Sequence, residues 1–260
     1  MSVITDDYLT FCEGLRRLCG IDLTQYKRPQ MERRLRSFFE RRGLFSLTDA
    51  LQTLKPGSTE LDQLLDRVTI NVSQLWRHPE QWNWLRSEIL GDLARNGTLK
   101  AWSAGSSYGA EAYTLAAVCR ETIPQARVQI LGTDIDRRMV ERASEGVFTE
   151  EDARCAPAAS MERFFERIHG GWRARPELRS MVSFEIGDLL RMQPPPGRYD
   201  LVLCRNTVIY FAEPIRDELH ERLAAALRPG GCLVIGATER VTNPNALGLV
   251  SLHPFIFRKA

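Results

Sequence analysis

The sequence predicts an α/β protein, a doubly wound and mostly parallel sheet with a small all-helical domain before it and a small β insertion within it. Three observations carry this. From Leu99 onward, short apolar runs alternate with segments of helical period, the alternation of a sheet covered by helices on both faces. Before about residue 90 no strand pattern is visible, only helix-period stripes. The runs that read as strands end on small or charged residues, where open α/β sheets keep their ligands.

In chain order, Tyr8, Phe11, Leu15, Leu18 and Cys19 share one helical stripe. Met31, Leu35, Phe38 and Phe39 share a second, and Leu61, Leu64, Leu65 and Val68 a third. Gly20, Pro29, Gly43 and Pro56-Gly57 punctuate them, so residues 1–90 are expected to form the helical domain and residues 91–260 the sheet domain. The expected strands are LKAWSAG, VQILGTD, VSFEIGD, YDLVLCRN and GCLVIGAT, with helices around Glu111–Thr122, Arg137–Glu145 and Pro214–Leu227 between them. RFFERIHGGWRARPELRS breaks the rhythm as a hairpin about His169-Gly170-Gly171, which puts an inserted β subdomain near residues 155–182. LGLVS and PFIFR add a final strand or two.

Of the 260 residues 43% are apolar, enough to fill a core. A formal charge of +2 is too small to point to nucleic acid. The cysteines, Cys12, Cys19, Cys119, Cys155, Cys204 and Cys232, show no CxxC and no paired His spacing. That argues against a metal site and a disulfide framework, and for reduced thiols in a cytoplasmic protein. MSVITDDYLTF has no basic segment leading into an apolar one, and nowhere does the chain offer about 18 continuous apolar residues, so neither secretion nor membrane insertion is expected.

The polar ends of the strands carry the chemistry. WSAGSSYGAEAY puts small residues between a strand and a helix, as close backbone approach to a nucleotide-type ligand requires. It is no GxGxxG and lacks the GK[ST] of a phosphate loop; the same turn also serves as a plain tight βα connection. Asp134, ending ILGTD, stands at the right distance to accept ribose hydroxyls. It also suits a helix N-cap, but Asp136 is the better cap, which leaves Asp134 free. A small-residue turn, an acid after the second strand and Asp188 after a later one, without a phosphate clamp, suggest adenosine held without pyrophosphate. S-adenosylmethionine is such a ligand, and its sulfonium favours a carboxylate-lined pocket. Within LVLCRNTVIYF, Arg205 and Asn206 interrupt an apolar run; a buried charge must be paired, so they are expected at the strand's end, at an opening.

GIDLTQYKRPQMERRL, TINVSQLWRHPEQW, WSAGSSYGAEAYTLA, ILGTDID, LCRNTVIYF and LRPGGCLVIGATE together resemble the chemotaxis receptor methyltransferase (CheR) family over almost the whole chain. The resemblance implies a Rossmann-like S-adenosylmethionine-dependent methyltransferase that O-methylates glutamate side chains of chemoreceptors and releases S-adenosylhomocysteine. It implies that Asn71, Ser73 and Arg77 reach the cofactor, that Glu111, Asp134, Asp188, Leu189, Arg205 and Asn206 line its cleft, and that Arg77 and Tyr210 face the reacting centre. Where the family commonly has Cys-Ser-Thr-Gly-Glu-Glu-Pro-Tyr, this chain has Ser106-Ser107-Tyr108-Gly109-Ala110-Glu111-Ala112-Tyr113, so Glu111 is the one acid left; Thr238-Glu239 stands where Ser-Glu is common.

A glutamate carboxylate is already ionised near pH 7, so such an acceptor needs positioning rather than a general base. His78, His169, His220 and His253 are accordingly read as surface or loop residues. Arg77 is expected to hold the acceptor by guanidinium hydrogen bonds and Tyr210 to steer it through its hydroxyl. Apart from the motif, a surface ion pair would explain Arg77 and a core position Tyr210. Arg33, Arg34 and Arg36, interleaved with Glu32 and Glu40, suit either a solvated helix face or docking to the cytoplasmic helical region of a receptor. A monomer is expected. Two rival readings stand beside this one: a methyltransferase of the same fold with another acceptor, and a non-catalytic cofactor-sensing adaptor.

Overall fold

The computed structural model describes residues 6–69 and 71–260. They fall into two compact units: the described residues through Asn71 together with Tyr210–Ile215, and Val72–Ile209 together with Arg216–Ala260.

The first unit holds helices α1 (Asp7–Cys19), α2 (Arg28–Glu40), α3 (Leu47–Thr53) and α4 (Thr59–Thr69). Asp6 caps α1 by accepting the N–H groups of Tyr8 and Leu9, and Gly20, at φ 81°, ends it in the left-handed conformation a side chain disfavours. Tyr8, Phe11, Leu15, Met31, Leu35, Phe38, Phe39, Leu61, Leu64 and Val68 are buried, so the three stripes make the core; Leu18, Cys19 and Leu65 lie half-buried at its edge. The strand of chain from Tyr210 packs here. The Lys27 N–H donates to the Tyr210 carbonyl at 2.9 Å and the Ala212 N–H to the Gln25 carbonyl at 3.0 Å, while the Tyr26 and Phe211 rings lie 5.0 Å apart.

The second unit opens with α5 (Pro79–Trp84) and α6 (Leu90–Leu93), joined by a wider turn over Leu85–Ile89. Helix α5 and this turn precede residue 90 yet bury Trp82, Leu85 and Ile89 with the sheet unit. The packing boundary at Asn71/Val72 therefore lies ahead of the compositional one, because helical period alone does not say what a helix packs on. The chain continues through β1 (Thr98–Ala104), α7 (Ala110–Thr122), β2 (Arg127–Asp134), α8 (Arg137–Glu145), β3 (Val147–Thr149), α9 (Ala158–Phe164), β4 (Phe165–Ile168), β5 (Gly171–Ala174), α10 (Pro176–Arg179) and β6 (Val182–Ile186). It ends with β7 (Tyr199–Cys204), α11 (Glu213–Ala226), β8 (Leu227–Ile235), β9 (Leu249–His253) and β10 (Ile256–Lys259).

Seven strands form one sheet in the order β6-β2-β1-β7-β8-β10-β9. The β6-β2, β2-β1, β1-β7 and β7-β8 pairs are parallel, and β10 runs antiparallel to both neighbours. Leu201–Cys204 are fully buried, as a strand covered on both faces must be. The order reverses between β1 and β7, which makes their carboxyl ends the place where ligands bind. The inserted hairpin is β4-β5, and β3 joins β5 from the other side to complete a separate three-stranded sheet. Gly171 has no alternative there, since a Cβ would lie 2.1 Å from the Phe148 carbonyl oxygen.

One expectation fails here. His220 is no surface residue: it lies on α11, 1% exposed, with neither ring nitrogen hydrogen-bonded. Burial pulls its pKa down from 6.5 to about 4. A base whose folded pKa is depressed contributes its full stability above pH 6.5 and loses it as the pH falls toward 4, over a range worth about 3 kcal/mol. His220→Leu is expected to remove this acid-side loss, so that thermal melts of the variant at pH 7 and pH 5 differ less than those of the parent.

Candidate active site

The site grows from three turns at the carboxyl end of the sheet. After β1, Gly105 turns the chain at φ 76°, and a Cβ there would lie 2.7 Å from Thr207 Oγ1. Only glycine lets the first turn approach the loop after β7 so closely. Gly105 and Ser106 both donate N–H groups to the Thr133 carbonyl at 2.9 Å, and the Ser107 N–H reaches Asp134 Oδ2 at 2.7 Å.

Asp134 is therefore not free. Asp136 does cap α8, accepting the Arg138 N–H at 3.0 Å, yet Asp134 Oδ1 also takes the Asp136 N–H at 3.0 Å. The carboxylate joins the turns after β1 and β2 and keeps its remaining lone pairs for a ligand. Burial pushes its pKa up, and the two backbone donors hold it back.

Arg205 answers the question its sequence raises. Its side chain is 3% exposed and paired through each of its three nitrogens: Nε donates to Gln81 Oε1 at 2.6 Å, Nη1 to Glu111 Oε2 at 3.3 Å, and Nη2 to the Arg77 carbonyl at 2.6 Å. The guanidinium also lies 4.9 Å from the Trp82 ring centre. Glu111, in the first turn of α7, accepts a second bond from Ser103 Oγ at 2.7 Å. Burial pushes the Glu111 carboxyl up while Arg205 pulls it down. Arg205 thus stands at the strand's end as expected, but its guanidinium is spent on the protein. It orients Glu111 and the backbone of Arg77.

The segment before α5 is held just as firmly. Tyr108 Oη meets the Ser73 carbonyl and Asp152 Oδ1, the Leu75 N–H donates to the Asp152 carbonyl at 2.9 Å, and the Trp76 N–H to Thr114 Oγ1 at 3.0 Å. The Arg77 guanidinium is half-buried, with Nη1 donating to the Val72 carbonyl at 2.9 Å. Trp76 and His78, on either side of it, have φ of 55° and 58°, and Ser107 and Asn206 have 48° and 58°. Four of the five non-glycine residues with positive φ among the described residues thus sit on these turns, the fifth being Asn243. Backbone strain of this kind gathers where a surrounding structure enforces it, typically at functional sites.

The remaining predicted residues fall elsewhere. Asp188 is engaged locally, accepting the Leu190 N–H at 2.9 Å and pairing with Arg191 at 3.3 Å, while Leu189 is buried. The adjoining Gly187 N–H donates to the Asp134 carbonyl at 2.8 Å, which joins this turn to the one after β2. Asn71, Tyr210, Arg33, Arg34 and Arg36 belong to the helical unit. There Asn71 Nδ2 donates to Thr69 Oγ1 at 2.9 Å, and the Arg34 guanidinium lies 5.4 Å from the Tyr210 ring centre. Arg36 is paired with Glu32 at 2.7 Å and Asp7 at 3.5 Å. Arg33 is exposed.

Glu239 is a residue to which the sequence reading gave no role. It lies buried past β8 and accepts backbone N–H groups from Gly236 at 2.6 Å, Asn206 at 2.9 Å and Val208 at 3.1 Å. The signal in the sequence is an acid two residues beyond the last small residues of GCLVIGATE, although it stands four residues past its strand where Asp134 closes one.

The chemistry of the donor set fits a cationic nucleoside. Glu111 and Asp134 are buried acceptors, and Ser106 Oγ and Asn206 Oδ1 are buried with no hydrogen-bond partner. Leaving such atoms unpaired costs about 1–3 kcal/mol each, which hydroxyl, ammonium or amine groups of a ligand would recover.

A doubly wound sheet with a reversed final strand, acids on its first turns and no phosphate loop defines a Rossmann-like S-adenosylmethionine-dependent methyltransferase. The residues bear this out beyond the fold. The chain belongs to the CheR methyltransferase family: the model of that family's SAM binding domain matches residues 71–256 and that of its all-alpha domain residues 6–69. A chemotaxis protein methyltransferase of Listeria innocua is 32% identical over 255 residues, 97% of either chain. One from Listeria monocytogenes is 32% identical over 257 residues with the same coverage, and chemotaxis protein methyltransferase 1 of Pseudomonas aeruginosa is 30% identical over 273 residues, the whole of both. S-adenosylmethionine is the cofactor.

Proposed function

We propose that this protein transfers the methyl group of S-adenosylmethionine to glutamate side chains in the cytoplasmic helical region of chemoreceptors. The observation that carries the reading is the full-length match to chemotaxis methyltransferases at 32% identity. The site supports it. The cofactor supplies an electrophilic methyl on a sulfonium, and a carboxylate acceptor attacks without surrendering a proton. What remains for the protein is alignment.

In this reading Glu111, Asp134, Ser106 and Asn206 bind the cofactor, with Ser73, Asn71, Asp188 and Leu189 completing its surroundings. Arg77 orients the acceptor carboxylate, its own backbone held by Arg205. Tyr210 steers the acceptor through its hydroxyl. Too strong a clamp would stabilise a carboxylate whose charge is being neutralised, so orientation has to outweigh affinity. For docking, Arg36 is already neutralised by Glu32 and Asp7, which leaves Arg33 and Arg34 as the arginines of α2 that would meet an acidic helical surface. No helix among the described residues is long and apolar enough to cross a membrane; a cytoplasmic monomer acting on the receptors' inner region is the form this reading implies.

The test uses the purified protein, methyl-labelled S-adenosylmethionine and receptor-bearing membranes. Label on the receptor that mild alkali releases as methanol, the mark of a methyl ester, is the expected result. Cofactor binding by calorimetry without such label would favour the sensing adaptor, and label on other proteins a different acceptor.

A further inference from the structure

The loop after β7 has an unusual internal anchor. Asn206 takes a left-handed φ of 58°, and the chain then makes one tight helical turn over Val208–Tyr210. In that conformation the N–H groups of Asn206 and Val208 point to one side, as in the backbone nests that bind anions. No external anion is needed, because the Glu239 carboxylate fills the position, taking both N–H groups and that of Gly236. The fit is close: a Cβ on Gly236 would lie 2.7 Å from Glu239 Oε2 and 2.9 Å from the Asn206 nitrogen. Glu239 is buried, and Arg205, whose guanidinium is bonded to Glu111, acts on it only through its charge. Burial pushes its carboxyl up and the backbone donors hold it back, since a carboxylate accepting several N–H groups is stabilised in its charged form.

We propose that Glu239 is a positioning residue for methyl transfer: its carboxylate acts as the built-in anion of a nest that shapes residues 206–209, setting Asn206 toward the cofactor and fixing the chain that leads into Tyr210. The inference rests on the methyl-transfer reading above for its kinetic consequence, but not for its structural one. Glu239 touches no reacting atom, so its loss misplaces other groups.

The experiment compares Glu239→Ala with Glu239→Gln and Gly236→Ala in the full chain. In Glu239→Ala, kcat should fall by about ten- to a hundredfold, the scale of a misplacement near 1 Å. Amide hydrogens of residues 206–209 should exchange faster while β1 and β2 stay protected. Formate, a carboxylate small enough for the vacated space, should restore a large part of both. Glu239→Gln should be impaired without rescue, because its amide fills the space and turns a donor toward donors. Gly236→Ala should be impaired and unrescued for the same steric reason. Unchanged exchange at 206–209 in folded Glu239→Ala, or formate acting equally on all three variants, would overturn the proposal. Should Glu239→Ala fail to fold, Glu239→Asp, with its carboxylate drawn back by one methylene, carries the exchange measurement with the same two outcomes. Exchange needs no methyl acceptor, so a failure of the glutamate-methylation reading shows instead as an inactive parent protein with a normally protected loop.

Discussion

Arg205→Ala is expected to destabilise the protein by about 3–5 kcal/mol, the cost of removing one partner from a buried, hydrogen-bonded charge network. The loss has identifiable parts. Glu111 is left as an uncompensated buried carboxylate, and Gln81 Oε1 and the Arg77 carbonyl lose donors at 2.6 Å. Trp82 loses its cation contact and is left beside a cavity. A chemical denaturation curve should shift to lower midpoint with little change in slope. Arg205→Met in a Glu111→Leu background should recover part of that stability, since apolar replacement of both charges removes the desolvation cost. The same double variant should not recover cofactor binding, because the carboxylate on α7 is gone. A wild-type midpoint for Arg205→Ala would show that the network is spectator to the fold.

Arg77→Ala is expected to leave the melting temperature within a few degrees of the parent, while methyl transfer to receptor drops by about ten- to a hundredfold. The reasoning divides the residue in two. Its backbone carbonyl is an anchor for Arg205 and for Trp82 Nε1, and any side chain preserves that. Its guanidinium is half-buried and donates to the Val72 carbonyl, so little of the fold depends on it. Charge-assisted contacts to a carboxylate contribute about 1.5–3 kcal/mol, which sets the size of the expected loss. Arg77→Lys should recover little, because an ammonium keeps the charge and loses the planar fork. Near-normal transfer by Arg77→Ala would remove it from the reaction.

How far the sequence led depends on the distance over which each feature is decided. Arg137–Glu145 is a helix with the predicted ends because Asp136 and Gly146 cap it from the next residue on either side. The β4-β5 hairpin is legible in His169-Gly170-Gly171 because its turn is local. The places that departed from expectation are contacts between residues far apart in the chain. Asp134 looks free in ILGTDID because its partner Ser107 lies 27 positions earlier. The role of Arg205 depends on Gln81 and Glu111, 124 and 94 positions away, and nothing near LCRN announces them. His220 reads as a surface residue among charged neighbours, yet the face of α11 that it occupies is turned inward. Glu239 went unassigned for a related reason: what makes it matter is a set of backbone N–H groups, and main-chain donors leave no mark in a sequence.

The short stretch from Tyr210 to Ile215 bears on how such a protein can be taken apart or inherited. Because it packs with the helical unit, the polypeptide passes from one unit to the other three times, at 71/72, 209/210 and 215/216. Two modules joined by a single linker can be exchanged by one splice. Here a fragment starting at Val72 would carry Tyr210 without Gln25, Tyr26 and Lys27, the residues that receive its segment. A chimera that swapped only the first 71 residues would pair that segment with a foreign surface. Recombination that keeps Tyr210 in place must move both stretches together, which makes the helical unit and six residues of the other half a single unit of descent.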